Sequence, residues 1–179
     1  MKGLWEAMAV TPWDLTELDA WAEKALKRGA TALVLRLAHP PSPSELWAWA
    51  KRWEGVPWLV HARWTSQLMG WGIHYPAPPL SPGHPPLPGY LYGQSCHTVD
   101  EVEKASLWAS YVWIGPFFPT PSHPEEKVAL LSLDILKQAS SLFPSLPLIA
   151  IGGIDSDERV AVVKAAGAAG FAAIRYFAQ

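Results

Sequence analysis

Short apolar runs alternate along the chain with segments whose apolar positions recur every three to four residues. This is the pattern of strands followed by amphipathic helices, and it predicts βα units around a parallel sheet. The apolar runs cover residues 4–10, 32–37, 58–61, 72–75, 91–94, 111–114, 148–151 and 170–174. After the first run, Leu15, Leu18, Trp21, Ala22, Ala25 and Leu26 form one stripe over Trp13 to Arg28, with Thr11 or Asp14 as its cap and Gly29 as its stop. A Pro-Ser-Pro-Ser loop introduces a helix from Glu45 to Trp53, and Thr98-Val-Asp-Glu101 reads as a capping box for a helix through Trp108. Further helices are predicted over Leu130 to Leu142 and from Asp155 or Ser156 to Ala166. A weak helix is expected around Thr65 to Met69, the period is lost in the proline-rich stretch Pro76 to Pro88, and the helix after the eighth run is missing. The segment Gly115 to Val128 is long for a βα connection, where two to six residues are common, and such loops are usually functional.

Eight such units predict an α/β chain folded as a single (β/α)8 TIM-barrel domain over residues 1–179, shortened, with reduced helices after strands 4 and 8. The length of 179 residues lies below the usual minimum of roughly 200 for this fold, which the lost helices explain. An open doubly wound sheet is the alternative architecture, but no Gly-x-Gly-x-x-Gly follows the first strand. Charged residues make up 17% of the chain and the formal net charge is -2, with basic residues scattered, so no nucleic-acid partner is expected. The single Cys96 leaves no intrachain disulfide or cysteine-rich metal site and fits a reducing compartment. With no apolar run long enough for a signal peptide or a membrane span, a cytoplasmic location without a membrane partner is expected.

In a barrel of this kind the chemistry gathers at the C-terminal ends of the strands, which here are Thr11, Arg36, His61, His74, Ser95, Gly115, Gly152 and Arg175. His61, His74 and His97 fall at or near such ends and His123 lies in the long sixth loop; imidazoles suit proton transfer near neutrality, while His74 and His97 read equally as structural hydrogen-bonding residues. Gly152 and Gly153, between a strand and a helix, allow backbone N–H groups to approach a phosphate, and Arg175 would add a fork of donors, the alternative being a surface residue near the chain end. Ser95 donates either to a ligand oxygen or to the backbone. Trp47, Trp49, Trp53 and Trp108 read as packing, Cys96 as an inert buried thiol, and Phe117 with Phe118 as an apolar wall for a heteroaromatic ring.

Three stretches carry a resemblance. Gly93-Gln-Ser-Cys-His97 with Glu101, then Tyr111-Val-Trp-Ile-Gly-Pro-Phe-Phe-Pro-Thr-Pro-Ser122, and Ile149-Ala-Ile-Gly-Gly-Ile154 resemble the signature of the thiamine-phosphate synthase and TenI family, with Arg36 and Ala166-Gly-Ala-Ala-Gly170 in the same order. The resemblance implies a (β/α)8 barrel, a homodimer and a cytoplasmic role in thiamine biosynthesis. It implies a thiazole phosphate as the small-molecule partner, its phosphate on Gly152, Gly153 and the turn after strand eight; Arg36, Ser95, Thr120 and Arg175 are the further candidate binding residues.

Synthases of the family join a pyrimidine diphosphate to a thiazole phosphate and use Mg²⁺ held by acidic residues. Where they resemble Asn-Asp-Arg after strand three, this chain has His61-Ala62-Arg63; no acid follows His74; the cation two residues after Arg36 is Ala38; and Thr120-Pro-Ser-His123 stands where they have Thr-Pro-Thr-Lys. This pattern of loss resembles TenI-like aromatizing thiazole tautomerases, which need acid–base groups and no metal. The first expectation is therefore a thiazole tautomerase (an isomerase) without cofactor, with Mg²⁺ relevant only to the alternative of a thiamine-phosphate synthase. The tautomerase histidine that follows the glycine ending strand six is Pro116 here, so His123 is the first candidate for proton transfer and His61 the second. A non-catalytic binder of thiazole or thiamine phosphate is the third reading.

Overall fold

The computed structural model describes residues 2–65, 67–120 and 129–179. Its strands are β1 (Ala7–Val10), β2 (Ala32–Leu35), β3 (Trp58–His61), β4 (Gly72–Tyr75), β5 (Leu91–Cys96), β6 (Tyr111–Ile114), β7 (Leu148–Ile151) and β8 (Gly170–Ala173). Each pairs in parallel with its neighbours, and β1 pairs with β8, so the sheet closes into a barrel. An open sheet is thereby excluded.

A strand sends alternate side chains to opposite faces, so a closed parallel sheet has one row pointing into the barrel and one toward the helices, both buried. Met8, Val10, Ala32, Val34, Leu59, Tyr111, Trp113, Ile149 and Ala172 fill the interior. The opposite row, including Ala9, Leu33, Val60, Ile73 and Val112, packs with the helices in a second core. Interior volume is balanced by alternating large and small residues. Gly72 has no room for a side chain beside Leu91 and Leu59, nor Gly93 beside Tyr111 and His74.

Among the described residues five helices lie outside: α1 (Leu18–Lys27), α2 (Pro43–Arg52), α3 (Val99–Ser106), α4 (Leu133–Leu142) and α5 (Asp157–Ala165). Ser42 and Glu45 form a reciprocal capping box with Pro43 in the first turn of α2, and Thr98, Ser132 and Ser156 cap α3, α4 and α5. In α3 the Glu101 carboxylate accepts from the N–H of His97 rather than closing the box on Thr98. Each helix buries a narrow apolar face, such as Trp21, Ala22 and Ala25 in α1.

The expected helix around Thr65 to Met69 is absent from the described residues there, so β3 is followed, like β4 and β8, by no α-helix. The prolines from Pro76 to Pro88 lack the N–H groups a helix needs, and the chain after β8 forms only a 3₁₀ turn over Arg175–Ala178. The first apolar run also divides. Lys2–Trp5 is a 3₁₀ turn, and only Ala7–Val10 enters the sheet. This turn closes the N-terminal end of the barrel, with Leu4 buried and the Trp5 ring 4.6 Å from that of Tyr111. No helix among the described residues is long and apolar enough to cross a membrane.

The turn sits directly against Gly170, where a Cβ would overlap the Trp5 carbonyl oxygen. Backbone cannot retract as a flexible side chain can, so Gly170→Ala is expected to lower stability by about 3 kcal/mol. Chemical denaturation of the variant and the parent measures it, and an unchanged midpoint refutes the close packing of this end.

Candidate active site

The inward rows of the strands end at one mouth. Residues 32, 34 and 36 share a parity, as do 59 and 61, 93 and 95, and 111 and 113, which sends Arg36, His61, Ser95 and Trp113 toward the same space. Two adjoining cavities occupy that space, sharing Arg36, Trp113, Thr120, Ile151 and Gly152. The larger, of about 520 Å³, is bounded by His61, Arg63, Ser95, His97, Pro116 and Phe118 among others. The smaller is bounded by Gly152, Gly153, Ile154 and Arg175 after β7 and β8.

The glycine turn is held by its carbonyls. Gly152 and Gly153 have φ of 96° and 68°, the left-handed region that glycine tolerates without strain. The Gly152 carbonyl accepts from the Phe118 N–H at 3.2 Å, and the Gly153 carbonyl accepts from Arg159 Nη1 at 2.5 Å. A trans peptide points its N–H away from its carbonyl, so the Gly153 and Ile154 N–H groups face opposite to these two bonds. Arg159 also lies 3.0 Å from Asp155 and stacks over the Phe118 ring at 5.1 Å. It therefore ties α5, the glycine turn and the sixth loop together. Arg175 stands 4.0 Å from the other Asp155 oxygen, with its side chain about half exposed.

On the opposite side Arg36 is half-buried, its guanidinium 5.8 Å from the Trp13 ring centre. Its Nε is buried with no hydrogen-bond partner among the described residues. Burial and then the neighbouring Arg63 charge lower its pKa, so two like charges face one cavity. His61 is buried beside them, and its Nδ1 accepts from the Arg63 backbone N–H at 3.1 Å. Desolvation, then Arg36 and Arg63, push its pKa down to about 3, so the resting ring is neutral with its proton on Nε2.

His97 is exposed at the rim. Its Nδ1–H donates to the Gly115 carbonyl at 2.6 Å, which leaves Nε2 as an acceptor. His74 is fully buried, its ring stacked at 3.6 Å on Trp113, and the Trp113 indole donates to Met8 Sδ at 3.4 Å. Cys96 is buried on the helix side of β5, where desolvation raises its thiol to about 12.

Of the residues singled out in the sequence, Arg36, His61, Ser95, Thr120, Gly152, Gly153 and Arg175 border these cavities. His123 lies outside the described residues. Arg63, His97 and the Arg159–Asp155 pair were not among the selected site residues. Arg63 had a signal in its place two residues past a strand end, and His97 in its closeness to one, whereas Arg159 lies inside a helix and had none.

Mg²⁺ prefers carboxylate oxygens. The described residues around the two cavities contribute guanidinium, imidazole, hydroxyl and backbone groups but no carboxylate, and no group of three or more His, Cys, Asp or Glu among the described residues could hold a metal. This donor set does not fit the ion.

Eight parallel strands closed around a filled interior, with the cavities at the C-terminal strand ends, define a (β/α)8-barrel protein. The family model described as thiamine monophosphate synthase matches residues 7–177, and the chain belongs to that family. It is 38% identical over 89 residues to the thiamine-phosphate synthase of Mycobacterium marinum, a match covering 49% of this chain and 39% of the relative. It is 40% identical over 83 residues to that of Anoxybacillus flavithermus, covering 46% and 37%. The matches thus span under two fifths of the relatives' own length. In fold it is similar to thiamine phosphate pyrophosphorylase from Pyrococcus furiosus, with a TM-score of 0.71, 22% identity, and coverage of 97% of this chain and 87% of the other.

The buried histidines make stability depend on pH. Because the folded pKa of His61 lies below its ordinary 6.5, the unfolded chain takes up a proton first as pH falls. Stability is therefore full above about pH 6.5 and declines toward pH 3 by up to about 1.4 kcal/mol per pH unit, and His74, also lowered by burial, adds in the same direction. Denaturation between about pH 7 and pH 4 is expected to show a shallower decline in His61→Asn than in the parent; identical slopes contradict the neutral, buried ring.

Proposed function

We propose that the protein acts in thiamine biosynthesis as a transferase of the thiamine-phosphate synthase kind, condensing a thiazole phosphate with a pyrimidine diphosphate at the barrel mouth. The observation that carries this reading is the Arg36 guanidinium, with its buried Nε unpaired among the described residues and Arg63 beside it. Buried donors and adjacent like charges are costly, and an anionic ligand removes both costs. The glycine turn supplies a second anion site, so the mouth suits two anionic esters. The names of the curated relatives support the same chemistry.

In this reading the thiazole phosphate rests on the N–H groups of Gly153 and Ile154, assisted by Thr120 and Arg175, and the diphosphate rests on Arg36, Arg63 and Ser95. The pyrimidine methylene–oxygen bond breaks, its electron pair leaves with pyrophosphate, and the thiazole nitrogen supplies the pair for the new C–N bond. Arg36 and Arg63 stabilise the departing charge in a site partly screened from water. Pro116, Phe118 and Trp113 wall the space between. His61, neutral and weakly basic, acts as a spacer and hydrogen-bond donor through Nε2 rather than as a base.

One observation favours a second reading, the thiazole tautomerase. His97 is anchored through Nδ1 on the carbonyl of Gly115, borders the larger cavity with Pro116, and the described lining has no carboxylate. In that case His97 moves the proton, alongside His123, and Arg36 with Arg63 holds the substrate carboxylate. In both readings the active form is a cytoplasmic homodimer.

Incubation of the protein with both esters, with Mg²⁺ and with a chelator, is expected to release pyrophosphate and form thiamine phosphate. Arg63→Ala is expected to raise KM for the diphosphate about 10-fold and leave thiazole-phosphate affinity unchanged. No condensation, together with aromatization of the thiazole tautomer that His97→Gln abolishes, replaces the first reading by the second.

A further inference from the structure

Strand β5 leaves a gap in the inward row. Gly93 is in register with His74 of β4 on one side and with Tyr111 of β6 on the other. A Cβ at Gly93 would overlap both the Tyr111 ring and His74 Nδ1. Across this gap the Tyr111 hydroxyl lies 3.0 Å from His74 Nδ1, and His74 Nε2 lies 2.9 Å from Ser95 Oγ. Tyr111 and His74 are fully buried and take no part in the condensation described above. Ser95 alone of the three borders the cavity.

The direction of this chain follows from its protons. Burial, then Tyr90, push the Tyr111 phenol well above its ordinary pKa, so it keeps its proton. Its hydrogen-bond partner among the described residues is His74 Nδ1, which must therefore accept. Burial, then His61, lower the His74 pKa well below 6.5, so the ring is neutral and carries one proton. With Nδ1 accepting, that proton sits on Nε2 and is donated to Ser95 Oγ. The serine is left with its own O–H to give to something in the cavity. The reverse orientation would strand the buried Tyr111 O–H without an acceptor. The polarity is also opposite to that of a serine nucleophile, whose histidine must accept the hydroxyl proton.

We propose that Tyr111 and His74 are positioning residues that hold Ser95 so that its O–H is left to donate to an anionic phosphoryl oxygen in the barrel mouth. The identity of the ligand rests on the reading of the mouth as a site for anionic esters, whereas the polarity of the chain does not.

Long-range ¹H–¹⁵N correlation spectra of the full chain labelled at histidine report which nitrogen of His74 carries the proton, with the signal assigned by its loss in His74→Gln. The expected state is Nε2–H in the parent. It persists in Ser95→Ala, because Tyr111 still donates to Nδ1, and gives way to a mixture of tautomers in Tyr111→Phe, which keeps the ring packed on Trp5. Nδ1–H in the parent, a switch to Nδ1–H in Ser95→Ala, or an unaltered tautomer in Tyr111→Phe overturns the proposal. Calorimetric titration with inorganic pyrophosphate reads the consequence, with affinity expected to fall about 10-fold in Ser95→Ala and about 3-fold in Tyr111→Phe. Equal affinity of the parent and Ser95→Ala, or no binding to the parent, overturns the donor role. Ser95-dependent pyrophosphate binding in a protein that forms no thiamine phosphate supports this inference and defeats the assigned condensation instead.

Discussion

The volume inside a closed ring of eight short strands is the constraint on which the rest of this structure depends. Tyr111, Trp113 and Met8 crowd this interior, the Trp113 indole reaching Met8 Sδ, and they fit because Gly93 stands beside Tyr111 and Ala32 and Ala172 stand beside Met8. Close packing of this kind penalises a shift of any strand, since a one-residue slip would turn the large side chains outward. Register, once fixed by volume, sets the height at which each strand end emerges. Arg36, His61 and Ser95 reach one mouth for that reason, although they come from distant parts of the chain.

The same packing pays for an unfavourable arrangement of charge. Two guanidiniums share a cavity without a carboxylate among its described lining, and a histidine beside them is held neutral far below its usual range. A surface left to relax would separate these groups or pair them. Fixed on strand ends, they remain poised for a ligand that supplies the missing negative charge. Asp155 shows the contrast, since Arg159 and Arg175 both approach it and their charge is partly answered within the protein.

Much of the scaffold was legible in the sequence. Trp58–His61, Tyr111–Ile114 and Leu148–Ile151 are bounded to the residue, because strands buried on both faces are nearly continuous apolar runs between turn residues. Hydrophobicity misled where it had another use. Leu4 and Trp5 look like strand but fold back as a turn under the barrel, and Trp64 with Leu68 and Met69 packs on the core without forming a helix. The site was legible as strand ends and motifs, which brought forward Arg36, His61, Ser95 and the glycine pair. Partnerships between strands were not, since the Tyr111–His74–Ser95 chain depends on which residues stand beside Gly93. The altered Mg²⁺ and pyrophosphate residues point toward a tautomerase, whereas the relatives' names point toward a synthase.

The arginines at the mouth also give the molecule a direction. The chain carries a formal net charge of -2, yet Arg36, Arg63 and Arg175 line the cavities at one end of the barrel. An anion approaching that end therefore meets a positive field that no carboxylate in the described lining of the cavities answers. Low-dielectric walls concentrate such a field along the axis of the opening, so encounter becomes oriented before contact is made. Physiological salt shortens the reach of that guidance to about 8 Å beyond the rim, leaving capture, rather than the bonds formed afterwards, as the stage that feels the ionic surroundings most.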